Sequence, residues 1–199
     1  MRFLEFQKQF RSFPVVSTQN IKQVFGEVNP SLLSKWERKG YLVRLRKQLY
    51  FLKGNKTDLL LIANQMYPSY ISLEYALSYH HMIPEIPQSI TSVTAGRRLS
   101  ISNALCQFYY RHIQSDLYCG YLLKQSKYKD LYFKIAEPEK ALFDLFYLKK
   151  HLKNKGDVES LRLNLPDEFS LGRVKNYLRK VKAPQIIDRV SNLINYCQR

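Results

Sequence analysis

The sequence predicts an α+β protein in two parts. Residues 1–54 read as three helices closed by a β-hairpin, and residues 55–199 as a mixed body with a small sheet and a helical tail. Three observations predict this. Apolar residues recur at helical spacing through residues 2–38, then alternate at strand spacing on either side of a basic turn. Runs rich in β-branched and aromatic residues follow between residues 90 and 135. Helical spacing returns from residue 138.

Each element has a local cause. Residues 2–11 form the first helix, with Phe3, Leu4, Phe6 and Phe10 supplying apolar surface. Phe13–Val16 is an extended link. Ser17 or Thr18 caps a second helix, Gln19–Phe25, in which Ile21, Val24 and Phe25 point inward. Gly26 closes it, and Glu27–Asn29 turns the chain. Pro30 suits the first turn of a third helix, because its missing N–H would have no partner there. At ~100° per residue, Leu32, Leu33 and Trp36 share one face, while Ser31, Ser34, Lys35 and Arg38 share the opposite one. Gly40 stops the helix. Tyr41–Leu45 and Leu49–Phe51 are then strands around a tip made of Arg46, Lys47 and Gln48.

A helix with a polar, cationic outer face followed by a basic hairpin is the layout of a winged helix-turn-helix. In that layout the helix enters the DNA major groove and the hairpin touches the phosphates beside it. The candidate DNA-binding residues are therefore Ser31, Ser34, Lys35, Arg38 and Lys39 on the helix and Arg44, Arg46 and Lys47 on the hairpin. Any surface helix has a polar face. The expectation rests on helix, stop, hairpin and charge agreeing.

In the body, Gly54–Lys56 reads as a hinge. Thr57 or Asp58 caps a helix to about Tyr67, ended by Pro68, and a further helix spans Ser72–His80. Pro84 and Pro87 break the chain. Ile90–Thr94 alternates as a strand, and further strands are expected at Gln107–Ile113, Leu117–Leu123 and Leu131–Ile135. Pro138 opens a helix over Glu139–Lys149. From Gly156 onward the chain reads as helical, with breaks at Pro166 and Pro184.

The formal net charge of +16 favours a polyanionic partner: nucleic acid, an acidic protein or an anionic membrane surface. Residues 1–54 hold eleven Lys or Arg and three Glu, a net of +8. The other twenty-one Lys or Arg and thirteen Asp or Glu also give +8. Half of the excess thus sits in about a quarter of the chain, as a DNA-binding head on a milder body requires. The sequence contains no run long enough to span a membrane and no signal-peptide core at MRFLEFQKQF. Cys106, Cys119 and Cys197 lack metal or disulfide spacing, which places the protein in the reducing cytoplasm.

No catalytic constellation is expected. Glu137, Glu139 and Asp144 are the densest carboxylates. Glu137 and Glu139 flank Pro138 in a helix's first turn, where the dipole favours acids, and Asp144 has Lys140 four residues before it. His80 and His81 diverge by about 100° on a helix, and His112 and His151 are remote, so no zinc site is expected. The seven glycines are scattered, with no phosphate-binding loop, and no cofactor is implied. Tyr109, Tyr110, Tyr118, Tyr121, Tyr128, Tyr132 and Phe133 lie near Lys124, Lys127, Lys129 and Lys134. This pattern either stacks RNA bases or is a core of alternating strands with a wet lysine face.

Two separated segments carry a resemblance. YISLEYALSYHHMIPEIPQSITSVTAG at Tyr70–Gly96, with FYYRHI at Phe108–Ile113, precedes IAEPEKALFDLFYL at Ile135–Leu148. Together with KGYLVRLRKQLYF after a short helix, they resemble the AbiE-type antitoxin family, the transcriptional regulators of type IV toxin–antitoxin and phage abortive-infection systems. The resemblance covers most of residues 13–150. It implies a winged helix that binds repeats in its own promoter and represses it, and a C-terminal domain that counteracts a nucleotidyltransferase-like toxin. One departure is visible: the family's hairpin carries glycine where this chain has Gln48.

A single winged helix reads only a short half-site. With no coiled coil in the sequence, a monomer or weak dimer loading cooperatively on paired repeats is expected. Lys149, Lys150, Lys153 and Lys155 are candidates for the flanking backbone. The competing expectation is a protein-interaction module that neutralises an acidic partner without binding DNA.

Overall fold

The computed structural model describes residues 1–152 and 154–197. It is a mixed α+β protein with two sheets. Three helices open the chain: α1 (Phe3–Phe10), α2 (Thr18–Phe25) and α3 (Pro30–Arg38). With them lies an antiparallel sheet of β1 (Val16–Ser17), β2 (Leu42–Arg46) and β3 (Leu49–Leu52), ordered β1-β3-β2. The extended link expected at Phe13–Val16 therefore ends in a strand.

The helix boundaries follow from side-chain chemistry. Ser17 Oγ accepts from the Asn20 N–H at 3.1 Å and Asn20 Oδ1 accepts from the Ser17 N–H at 3.0 Å, a reciprocal cap on α2. Asn29 Oδ1 accepts from the Leu32 N–H at 3.1 Å to start α3. Gly40, at φ 72°, reverses the chain after it in a conformation that a β-carbon would strain.

This small sheet is covered on both faces. Leu42, Tyr50 and Leu52 join Phe6, Phe10 and Trp36 in a core beneath the helices. Val43, Leu45 and Phe51 point the other way and belong to the larger core of the body. Burying each such side chain contributes roughly 1.5–3 kcal/mol, so the hairpin is a shared wall rather than a free arm.

The body contains α4 (Leu59–Met66), β4 (Tyr70–Ile71), α5 (Leu73–Tyr79), β5 (Ile90–Thr94), β6 (Leu99–Ser102) and β7 (Gln107–His112). A 3-10 turn at Ser115–Leu117 leads to β8 (Tyr121–Gln125), β9 (Tyr132–Ala136), α6 (Pro138–Leu148), α7 (Lys155–Ser160), α8 (Leu171–Leu178) and α9 (Pro184–Cys197). The strands form one mixed sheet, ordered β6-β7-β5-β4-β9-β8, with β5–β7 and β4–β9 parallel. The strand expected at Leu117–Leu123 begins only at Tyr121, because the 3-10 turn and Gly120 (φ 74°) take up the preceding residues.

The centre of the body is polar as well as apolar. Lys140 and Asp144 on α6 form a fully buried ion pair. Asp144 Oδ2 also accepts from Tyr70 Oη at 2.9 Å and Ser72 Oγ at 2.7 Å. The Lys140 ammonium lies 5.4 Å from the Tyr70 ring, 5.2 Å from Phe143 and 5.4 Å from Tyr177. Gly120 is required here, since a β-carbon would stand 2.2 Å from the Tyr177 hydroxyl.

Candidate nucleic-acid interface

Helix α3 sorts its side chains as its period demands. Leu33 and Trp36 are buried against the core, Ser31, Lys35, Arg38 and Lys39 are exposed, and Ser34 is half-buried. Glu37, the one acid on this helix, is held by Arg44 of β2 through a 3.3 Å contact from Nε to Oε2. The Arg44 guanidinium also lies 5.7 Å from the Tyr50 ring centre. A half-exposed pair of this kind adds little stability. It does occupy Glu37, leaving the outer face of α3 cationic.

Arg44 and Lys47, with Lys22 of α2 and Pro30 of α3, line an open cleft of about 500 Å³ between the two helices and the hairpin. From Arg38 to Thr57 the chain has no Asp or Glu. Of the candidate residues, Arg44 and Lys47 of the hairpin line this cleft, while α3 contributes Pro30 and Leu33 to it.

The hairpin tip differs from the expected one. The register slips so that Arg44 faces Tyr50 while Arg46 faces Leu49, leaving Leu45 as an extra residue. Such a bulge turns the following side chain to the other side. Arg46 is exposed, and its Nη1 donates to the Met66 carbonyl of α4 at 2.7 Å, so this candidate is anchored to the body as well as open to solvent. The tip is the two residues Lys47 and Gln48. Gln48, at φ 64°, takes the left-handed conformation that glycine holds without strain. Its carbonyl accepts from the Thr18 N–H at 3.0 Å, which pins the tip to α2.

Two of the body lysines expected on flanking DNA carry solvent-accessible ion pairs, as Arg44 does. Lys149 pairs with Glu74, and Lys155 pairs with Glu159 at 3.4 Å. Lys150 is exposed, and Lys153 lies outside the described residues. Of the aromatic run, Tyr110, Tyr128 and Phe133 are buried, Tyr118 and Tyr121 are half-buried with Tyr121 stacked on buried Tyr70 at 5.2 Å, Tyr109 is half-buried with Arg111 over its ring, and Tyr132 is exposed.

Glu139 accepts the Ser170 N–H at 2.9 Å and lies 3.7 Å from Arg173, which also approaches Glu137 at 3.8 Å, so these two carboxylates share one guanidinium, while Asp144 is sealed against Lys140. Burial raises the Asp144 pKa, against the opposing pull of Lys140, Ser72 and Tyr70. His80 Nε2 is spent on the Ala136 carbonyl at 2.8 Å. Among the described residues, no group of three or more His, Cys, Asp or Glu could hold a metal ion, and no helix is long and apolar enough to cross a membrane. No protein-family model matches the chain, and no curated protein is similar to it in sequence.

Proposed function

We propose that the chain is a DNA-binding antitoxin. In this reading α1–α3 and the β1-β3-β2 sheet form a winged helix-turn-helix that binds repeats in the chain's own promoter and represses it. Residues 55–199 counteract a nucleotidyltransferase-like toxin. The protein acts in the cytoplasm as a non-enzymatic regulator, a monomer or weak dimer that loads cooperatively on its operator.

One observation carries the DNA half. Ser31, Lys35, Arg38 and Lys39 are exposed on α3 beside a hairpin segment without a single acid. A major-groove helix needs such a face, and adjoining cations supply phosphate contacts. The toxin half rests on the resemblance of Tyr70–Gly96 and Ile135–Leu148 to AbiE-type antitoxins. A reporter fused to the chain's upstream region tests repression. Co-expression with a nucleotidyltransferase-like protein from the neighbouring reading frame tests relief of growth arrest. Failure of both removes the reading.

A second reading has its own support. Strand β8 is an edge of the large sheet, with Leu123 63% exposed and Leu122 and Lys124 beside it. An open edge with apolar and basic side chains suits an acidic partner's extended segment. Co-purification of the toxin with the wild-type chain, lost in Leu123→Lys, would favour direct neutralisation.

A further inference from the structure

Strand β7 sorts its side chains onto the two faces of the large sheet. Tyr110 faces α4, where its hydroxyl donates to the Ala63 carbonyl at 2.9 Å. The hairpin is tied to that same helix by Arg46. Tyr109 and Arg111 face the other way. Tyr109 pairs with Thr91 of β5, whose Oγ1 accepts from the Tyr75 N–H of α5 at 3.4 Å. On this rear face, among α5, the β5–β7 pair and the ends of α6 and α7, lies a cleft of about 450 Å³. The sheet and α4 separate it from the hairpin.

The cleft combines an apolar wall with one unspent charge. Ile83, Pro87 and Leu161 line it together with the half-buried Tyr109 ring. Its four charged side chains are Glu74, Glu85, Arg111 and Lys149. Glu74 pairs with Lys149, and Glu85 pairs with Arg162, the neighbour of Leu161. Among the described residues Arg111 takes part in no ion pair. Its guanidinium lies 5.4 Å from the Tyr109 ring centre, so the cation is presented from an aromatic platform rather than from a free chain. Clefts of this size hold small molecules, with an apolar wall for the body of the ligand and a few polar groups to orient it. A planar ring with one anionic group satisfies both parts of this one.

We propose that this rear cleft binds a nucleoside monophosphate, with the phosphate on Arg111 and the base against Tyr109, Pro87 and Leu161. A guanidinium takes a phosphate through two parallel hydrogen bonds. A phosphate monoester carries a charge of about −1.5 to −2 at pH 7, and Arg111 is the unpaired cation that meets it. A triphosphate would bring further negative charge toward Glu74 and Glu85, so the cleft's own acids select against it. A nucleoside leaves Arg111 unengaged, and inorganic phosphate leaves the apolar wall unused.

The test is isothermal titration of the full chain with AMP, ATP, adenosine and inorganic phosphate at matched salt. AMP should bind saturably, roughly tenfold or more tighter than adenosine or inorganic phosphate, and several-fold tighter than ATP. Arg111→Gln should abolish the advantage of AMP over adenosine, and Arg111→Lys should restore part of it. Lys129→Gln removes an exposed lysine that does not line the cleft, and should bind AMP as wild type does. Tighter binding of ATP than of AMP, or equal losses in Arg111→Gln and Lys129→Gln, would show a diffuse attraction to the basic surface and overturn the proposal. Wild-type AMP affinity in a folded Arg111→Gln variant would overturn it too. So would a wild-type chain that does not bind AMP, and none of these outcomes bears on DNA binding by α3.

Discussion

Arg46 Nη1 donates to the Met66 carbonyl at 2.7 Å, and Met66 is the last residue of α4. The final carbonyls of a helix have no partner within it and carry the negative end of its dipole. Arg46 therefore caps α4 from the hairpin and locks the N-terminal sheet to the body. Removing the guanidinium, as in Arg46→Ala, should cost roughly 1–2 kcal/mol. Lys47→Gln, one residue on, should leave stability within about 0.5 kcal/mol and lower the DNA salt slope by about 0.9. Urea unfolding and salt-dependent binding separate the two. Equal midpoints for both variants would contradict the cap.

Gln48 sits at φ 64° in the tip, where only its backbone conformation and its carbonyl bond to Thr18 are needed. Glycine adopts this conformation without β-carbon strain. Gln48→Gly should raise stability by about 0.5–1 kcal/mol. A lower unfolding midpoint would show that the glutamine side chain contributes something the backbone does not require.

Lys140 and Asp144 are each inaccessible to solvent and depend on one another. Truncating one leaves a buried charge, so Asp144→Ala or Lys140→Met should cost about 3–5 kcal/mol. The double variant Lys140→Met/Asp144→Leu should recover most of that stability. Additive effects in the double variant would show that the two residues act separately.

Burial lowers the His80 pKa. The bond to the Ala136 carbonyl and nearby Glu139 oppose the shift, while Lys124 and His81 add to it. The unfolded chain therefore takes up this proton first as pH falls through about 6.5. The contribution of His80 is present above that pH and declines below it. His80→Gln should flatten the loss of stability between about pH 7 and pH 5. An unchanged slope in the variant would assign that loss to other groups.

Local chemistry was the legible part of this chain. Asn29, Pro30 and Gly40 delimit α3 near where the sequence puts it, and Ile90–Thr94 is a strand with the expected bounds. Strands β4 and β6 were not legible: one has two residues, and the other alternates half-buried apolar residues with exposed serines. The i,i+4 spacing of Lys140 and Asp144 could be read, but the buried setting of Asp144 depends on Tyr70 and Ser72, more than seventy residues before it. The redirection of Arg46 comes from a bulge in strand register, which no single side chain announces.

DNA readout by the outer face of α3 is the proposition on which the rest depends. Lys35→Ala/Arg38→Ala removes two exposed cations from that face without touching Leu33 or Trp36. The decisive experiment is equilibrium binding of this variant and wild type to the chain's own upstream duplex and to a shuffled duplex, at matched salt. Removing each specific base interaction should cost roughly 1–3 kcal/mol on the operator and less on shuffled DNA, so that discrimination collapses. A folded variant that keeps wild-type affinity and discrimination would remove α3 from the interface and contradict the proposed function.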